Sequence, residues 1–167
     1  MMSELNNTDA AIRVAAPVID ADIPVCSEVL YALPDPSDPD QAVLINVPVM
    51  VDGLNYGDIV RIAHEDDFGI RRILEVVVAS GHQHMLAAVE DGEAADLLNA
   101  LERMFPSWAL RIEGVSATIL SVSVHPHLDP KEVGAVIAEW LAEDSDEDER
   151  LAMTVPCPSE LGRVAWA

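Results

Sequence analysis

A chain of 167 residues with thirty acidic residues against nine basic ones carries a formal net charge of −21. Such a field repels nucleic-acid phosphates and anionic membranes, and it attracts cations and basic proteins. Half of the residues are apolar, which excludes a disordered acidic tail.

Solubility alone asks for a net charge of only about 2–8 on a small domain. The length supports one good core, or two small units sharing one. No run approaches the roughly 20 apolar residues of a membrane span. Met1 to Ala11 lacks the basic-then-apolar order of a signal peptide. Cys26 and Cys157 stand far apart and outside any C-x-x-C spacing, which points to reduced thiols in a reducing cytoplasm.

In chain order, residues 1–22 read as a loosely ordered arm, with Pro17 and Pro24 limiting regular structure. Val25–Leu33 is a strand that stops at the loop Pro34–Asp40, where three prolines alternate with turn formers. Ala42–Val51 follows, with Val47, Val49 and Val51 alternating in the strand sense and Pro48 marking an edge or bulge. Residues 52–58 form a turn-rich connection into Ile59–His64. A second turn at Asp66, Asp67 and Gly69 leads to the long β-branched strand Ile70–Ser80. Short strands at this spacing predict a small barrel or meander over residues 23–82.

Residues 83–156 have a different period. Gln83–Val89 is a strand, and Asp91 caps a helix over Glu93–Phe105 whose stripe is Ala94, Leu97, Leu98, Leu101 and Phe105. Trp108–Glu113 and Ala117–Val124 pair about Gly114. Asp129-Pro130-Lys131-Glu132 opens a second helix with Val133, Val136, Ile137, Trp140 and Leu141 inward. Leu151–Val155 is the last strand, and residues 157–167 are a tail. The fold expected is α+β: a β-rich barrel or meander joined to a ferredoxin-like βαββαβ half.

Three segments of the central third stand out: Asn46-Val47-Pro48-Val49, Gly53-Leu54-Asn55-Tyr56-Gly57-Asp58-Ile59-Val60, and Ser80-Gly81-His82. Together they resemble an uncharacterised bacterial family, domain of unknown function 4265. The resemblance covers residues 28–90 by motif and the remainder by layout. It implies a shared fold and carries no activity. Read without it, Gly53, Gly57 and Gly81 are turns needing positive φ.

Four of the five histidines come as His82-x-His84 and His125-x-His127. Residues i and i+2 of a strand share a face. The first and third strands of a ferredoxin-like half are neighbours, so the two pairs are expected to meet. Four imidazoles, with Asp129 as a carboxylate ligand, would suit Zn²⁺ or Ni²⁺. Exposed strand-end histidines without a metal are the plain alternative. No G-x-S-x-G, P-loop, G-x-G-x-x-G or H-E-x-x-H is present, and neither cysteine has a histidine in a local motif. Arg61, Arg71 and Arg72 are expected to pair internally at the barrel mouth, with a small anion pocket as the rival.

Charge therefore leads the functional expectation. The chain reads as a non-enzymatic acidic protein that binds a basic protein partner, as an immunity- or antitoxin-type inhibitor or a nucleic-acid mimic, and does not bind nucleic acid or membrane directly. The contact patches expected are the loops bearing Asp35, Asp38 and Asp40; Glu65, Asp66 and Asp67; and Asp144, Asp146, Glu147, Asp148 and Glu149. A metal-dependent or thiol enzyme, and a subunit of a larger assembly, are the alternatives. Convergence of the four histidines in a pocket distinguishes the first of these, and a salt-resistant oligomer the second.

Overall fold

The computed structural model describes residues 10–18, 27–90 and 92–144. Five strands, β1 (Ile12–Pro17), β2 (Ser27–Asp35), β3 (Asp38–Leu44), β4 (Ile59–Glu65) and β5 (Ile70–Val78), form a closed barrel. Each neighbouring pair along β1 to β5 is antiparallel, and β1 closes the ring by pairing in parallel with β5, Val14 opposite Arg71. The strand at Ile12–Pro17 lies in the segment expected as a loose arm. Its alternation of Ile12, Val14 and Ala16 is a barrel-facing period of two, which Pro17 at its end does not disturb.

A five-stranded barrel is narrow, and its interior must be filled by side chains. Alternate residues supply them: Val14 and Ala16, Leu30 and Ala32, Ala42 and Leu44, Val60 and Ile62, with Ile73. The alanines admit close packing, while full burial of each Leu or Ile contributes roughly 1.5–3 kcal/mol. Register shifts along β4 and β5 bend those strands enough to close the ring.

Two expectations about the hairpins change. The proline-rich stretch is almost entirely strand: Pro34 lies in β2 and Pro39 in β3, with a turn only at 36–37. Asp35 closes that turn by accepting the Ser37 N–H at 2.8 Å and its O–H at 2.6 Å. The strand expected over 42–51 ends at Leu44. Beyond it Asn46 takes the Tyr31 N–H at 2.8 Å on its side-chain oxygen, and Pro48 has no N–H to extend the ladder. Val47 and Val51 are nevertheless buried, so the alternation reports packing rather than strand pairing.

The remaining elements are β6 (Gln83–Ala88), α1 (Ala94–Met104), β7 (Leu110–Ser116), β8 (Ile119–Val124) and α2 (Pro130–Asp144). The sheet order is β6-β8-β7, all antiparallel. One face carries Met85, Ala87, Leu120, Val122 and Val124 and packs against Leu97, Leu101, Val133 and Ile137 of the helices. Asp129 starts α2 as read from the sequence, accepting the Lys131 N–H at 2.9 Å. The turn between β7 and β8 falls at 117–118, not at Gly114. Asp91, Cys26, Cys157, the strand expected at Leu151–Val155 and the tail lie outside the described residues.

Among the described residues no helix is long and apolar enough to cross a membrane. The architecture is mixed α+β, with mostly strands, two helices and a closed barrel.

Candidate functional site

Two regions gather the polar side chains: the junction between barrel and sheet, and the barrel end farthest along the strands from it. At the junction, the β3–β4 connection (45–58) faces the side of the three-stranded sheet opposite the helices. Its backbone is held by carboxylates. Glu28 accepts the N–H groups of Val49 and Met50 at 2.8 and 2.9 Å. Asp58, 1% exposed, accepts those of Asn55 at 2.8 Å and Ser80 at 2.7 Å. Burial raises the Asp58 pKa, and the bonds from Ser80 and Asn55 oppose that rise. Gly57 has φ 81°, and a Cβ there would lie 3.2 Å from Cβ of Ser80.

From the sheet side, His84 and Ser121 meet this connection. The Ser121 hydroxyl donates to the Pro48 carbonyl at 3.0 Å, so its oxygen accepts from His84 Nε2 at 2.9 Å. That places the imidazole proton on Nε2. Burial, against the opposing charge of Asp52, lowers the His84 pKa to about 4. Glu113 on β7 accepts the Val47 N–H, and burial raises its pKa against that bond and the Arg111 charge. The seam between the units is thus polar and titratable.

At the rim of this seam lies a chain of rings. His82 stands 5.4 Å from Tyr56 and 5.2 Å from His125 between ring centroids. His125 in turn lies 5.3 Å from Trp108 and 5.1 Å from His127. Arg111 sits 5.8 Å above the Tyr56 ring. Three of the four expected histidines therefore come together, and His84 does not join them; it is turned into the seam. His82 Nδ1 bonds the Ser123 hydroxyl at 2.9 Å, and His125 Nδ1 accepts the His127 N–H at 3.3 Å. Burial, then the neighbouring His125, lowers the His82 pKa. Among the described residues no group of three or more His, Cys, Asp or Glu is arranged to hold a metal ion. His84 is buried in the seam against Ser121, apart from the other three rings, so the four imidazoles do not converge on one point.

Pro48, Gly57, Asp58, Ser80 and His82 all lie at the seam. The model for DUF4265, a domain of unknown function, matches residues 28–149. The chain belongs to this family. A solved structure, the novel crystal structure of a hypothetical protein from Neisseria gonorrhoeae, is similar at TM-score 0.60 and 22% identity. The match covers 79% of this chain and 88% of that one, and it speaks for the fold. Among curated proteins none matches. In this DUF4265 chain the motif residues hold the junction together.

The opposite barrel end collects the expected acids, because the β2–β3 and β4–β5 turns of a meander fall on the same side. Besides Asp35, whose pKa is lowered by its bonds to Ser37, Asp38 accepts the Asp40 N–H at 3.1 Å and the Gln41 amide at 2.6 Å. Asp66 accepts the N–H groups of Phe68 and Ile70, each at 2.9 Å. Asp40 and Asp67 are exposed. Glu65 closes β4 opposite Arg71 in the backbone register. Asp144 ends α2, while Asp146, Glu147, Asp148 and Glu149 lie outside the described residues.

The arginines are arranged around this end. Arg61 pairs with Glu75 at 2.7 Å, and that bond with the charges of Asp38 and Asp40 raises its pKa. Arg71 Nη1 reaches the Pro39 carbonyl at 3.3 Å, and Arg13 Nη2 the Phe68 carbonyl at 2.7 Å. Among the described residues none of Asp35, Asp38, Asp40, Asp66 and Asp67 lies at ion-pair distance from a base. Sequence reasoning missed Phe68, 78% exposed at this end, and Tyr56 and Trp108 at the seam. Ser121-x-Ser123, answering His82-x-His84 in strand period, was a readable sign of the seam.

Proposed function

We propose that this DUF4265 protein is a non-enzymatic acidic binding protein whose outer barrel end engages a basic protein partner, in the manner of an immunity- or antitoxin-type inhibitor or a nucleic-acid mimic. The observation that carries the reading is the set of five aspartates on two adjacent turns. Three of them, Asp35, Asp38 and Asp66, are fixed by bonds from their own turns, and all five are free of ion pairs among the described residues. Carboxylates held in place before contact lose little freedom on binding. The long-range field raises the association rate and makes it salt-sensitive.

The β6-β8-β7 order with two helices on one face also supports a ferredoxin-like plan for the second half.

Immobilised protein is exposed to a bacterial lysate and eluted with a salt gradient, beside a variant carrying Asp35, Asp38, Asp40, Asp66 and Asp67 all as Asn. A basic protein released in stoichiometric amount by the native chain and missing from the variant is expected. An identical retained set from both sinks the assignment of this end.

A further inference from the structure

The outer barrel end also presents apolar surface, and its arrangement specifies more than charge. The β4–β5 turn reads Asp66-Asp67-Phe68-Gly69, and Phe68 is 78% exposed. Turn geometry favours Gly, Pro, Asn, Asp and Ser and has no use for phenylalanine at that place. The turn is also locked. Asp66 holds the N–H groups of Phe68 and Ile70, the Gly69 N–H reaches the Asp66 carbonyl at 3.1 Å, and the Asp66 N–H reaches the Ile70 carbonyl at 3.0 Å. On its far side Arg13 donates to the Phe68 carbonyl at 2.7 Å.

Arg13 continues the patch across the barrel wall. In the register it lies opposite Ile70 on β5 and opposite Tyr31 on β2. Tyr31 is 50% exposed, and Val29, two residues along the same face, is 44% exposed beside Ala15. Phe68, Arg13 and Tyr31 thus run side by side. Aromatic residues and arginine are the types enriched at the centres of protein interfaces, with a polar rim around them. Here the nearby turns supply acids: Asp66 and Asp67 beside Phe68, and Asp35, Asp38 and Asp40 on the adjacent hairpin.

The geometry points to Phe68, flanked by Arg13 and Tyr31, as the apolar anchor of this end, seating in an apolar pocket ringed by basic residues on the partner protein. This rests on the acidic-binding reading above and adds the shape of the partner: charge steers, and an aromatic knob fixes the register. A rigid side chain on a locked turn loses little entropy when it docks.

Two probes separate the parts. One is a twenty-residue polylysine, which offers charge alone. The other is a basic amphipathic helical peptide of equal charge with a leucine stripe. Affinities are measured at about 150 mM salt, where surface charge is partly screened, for the native chain, Phe68→Ala, Phe68→Trp and Tyr31→Ala. The amphipathic peptide is expected to bind the native chain more tightly than polylysine. Phe68→Ala should lose about tenfold or more of that affinity and leave polylysine binding unchanged. Phe68→Trp should retain it, and Tyr31→Ala should lose a smaller factor.

Both side chains are exposed, so the variants should keep the native circular dichroism and melting point. Equal binding of the amphipathic peptide by Phe68→Ala and the native chain overturns the anchor while the charge reading stands. Binding of polylysine alone overturns the anchor and keeps the charge reading, and failure of both probes to bind the native chain at any salt overturns both.

Discussion

Asp58 and Asp66 do the same chemistry in opposite settings. Each accepts two backbone N–H groups that would otherwise be left over where a strand meets a turn. Asp58 is 1% exposed at the seam, whereas Asp66 is exposed at the far end of the same barrel. Burial decides what each is for. At the seam the carboxylate is itself buried and ties two segments of backbone together, so it serves the fold. At the outer end the carboxylate stands in solvent, where water can share the donors.

The difference is largest for removal of the side chain. Asp58→Ala empties a buried site and leaves two part-buried N–H groups without their acceptor, and is expected to cost about 2–4 kcal/mol. Asp66→Ala is expected to cost about 1 kcal/mol or less, because solvent replaces the lost acceptor. Denaturant titration of both variants reads the gap. Equal losses would break the comparison and make the outer turn as structural as the seam.

Between pH 6.5 and 4 acid should act first on the seam, whereas Asp35 at the outer end, its pKa lowered by the bonds to Ser37, responds only below that window. The His84 pKa is about 4 in the fold against an ordinary 6.5. Between those values the unfolded chain binds a proton that the folded chain refuses, so this group's contribution is present above pH 6.5 and is lost as pH falls toward 4. The loss is on the order of 3 kcal/mol. Asp58 and Glu113 have the opposite sign: with pKa values raised in the fold, their protonation on acidification favours the folded state. The measurement is therefore the difference between the native chain and His84→Gln, whose amide still donates to Ser121. A stability profile that is less steep for His84→Gln from pH 6.5 to 4 is expected; parallel profiles would remove His84 as the acid-sensitive group.

How far such a seam could be read from the sequence depends on which interactions were local. The helix stripes through Leu97 and Leu101, and through Val133 and Ile137, were legible because a period of 3.6 is written in one segment. Adjacency of the first and third strands of the second half was legible too, and it brings His82 beside His125. The fate of His84 was not, since Pro48, whose carbonyl fixes its partner Ser121, lies 73 residues from that serine and in the other half of the chain. Strand β1 was hidden for a similar reason: its parallel pairing with β5 joins Arg13 to Ile70, far apart in sequence. At the outer end the acids were legible as a patch, but Phe68 was overlooked because a lone aromatic beside a glycine in a turn carries no periodic signal.

A smaller effect separates the turns themselves. Gly57, at φ 81°, closes the seam connection against Ser80. Alanine there combines a disfavoured backbone region with a contact of 3.2 Å to Cβ of Ser80, and should cost about 1–2 kcal/mol. Replacing Ser80 by glycine in the same chain removes that contact and is expected to recover part of the loss. No recovery would place the whole cost in the backbone.

The smallest effect has the most to say about why the charge is there. Asp40 and Asp67 are exposed, at one barrel end, among carboxylates that lack ion pairs within the described residues. If that crowding serves the fold, neutralising it must destabilise. Repulsion between like charges argues the reverse, opposed in part by the attraction between Asp40 and Arg61. The double variant Asp40→Asn/Asp67→Asn is expected to be as stable as the native chain or up to about 0.5 kcal/mol more stable at low salt. The gain should vanish near 1 M salt, where the screening length falls to about 3 Å. A melting-point loss at low salt would mean that these aspartates brace their turns as Asp58 braces the seam. The expected gain would mean that the chain keeps, at one end, charges its own folding would be better without, as the proposed binding role requires.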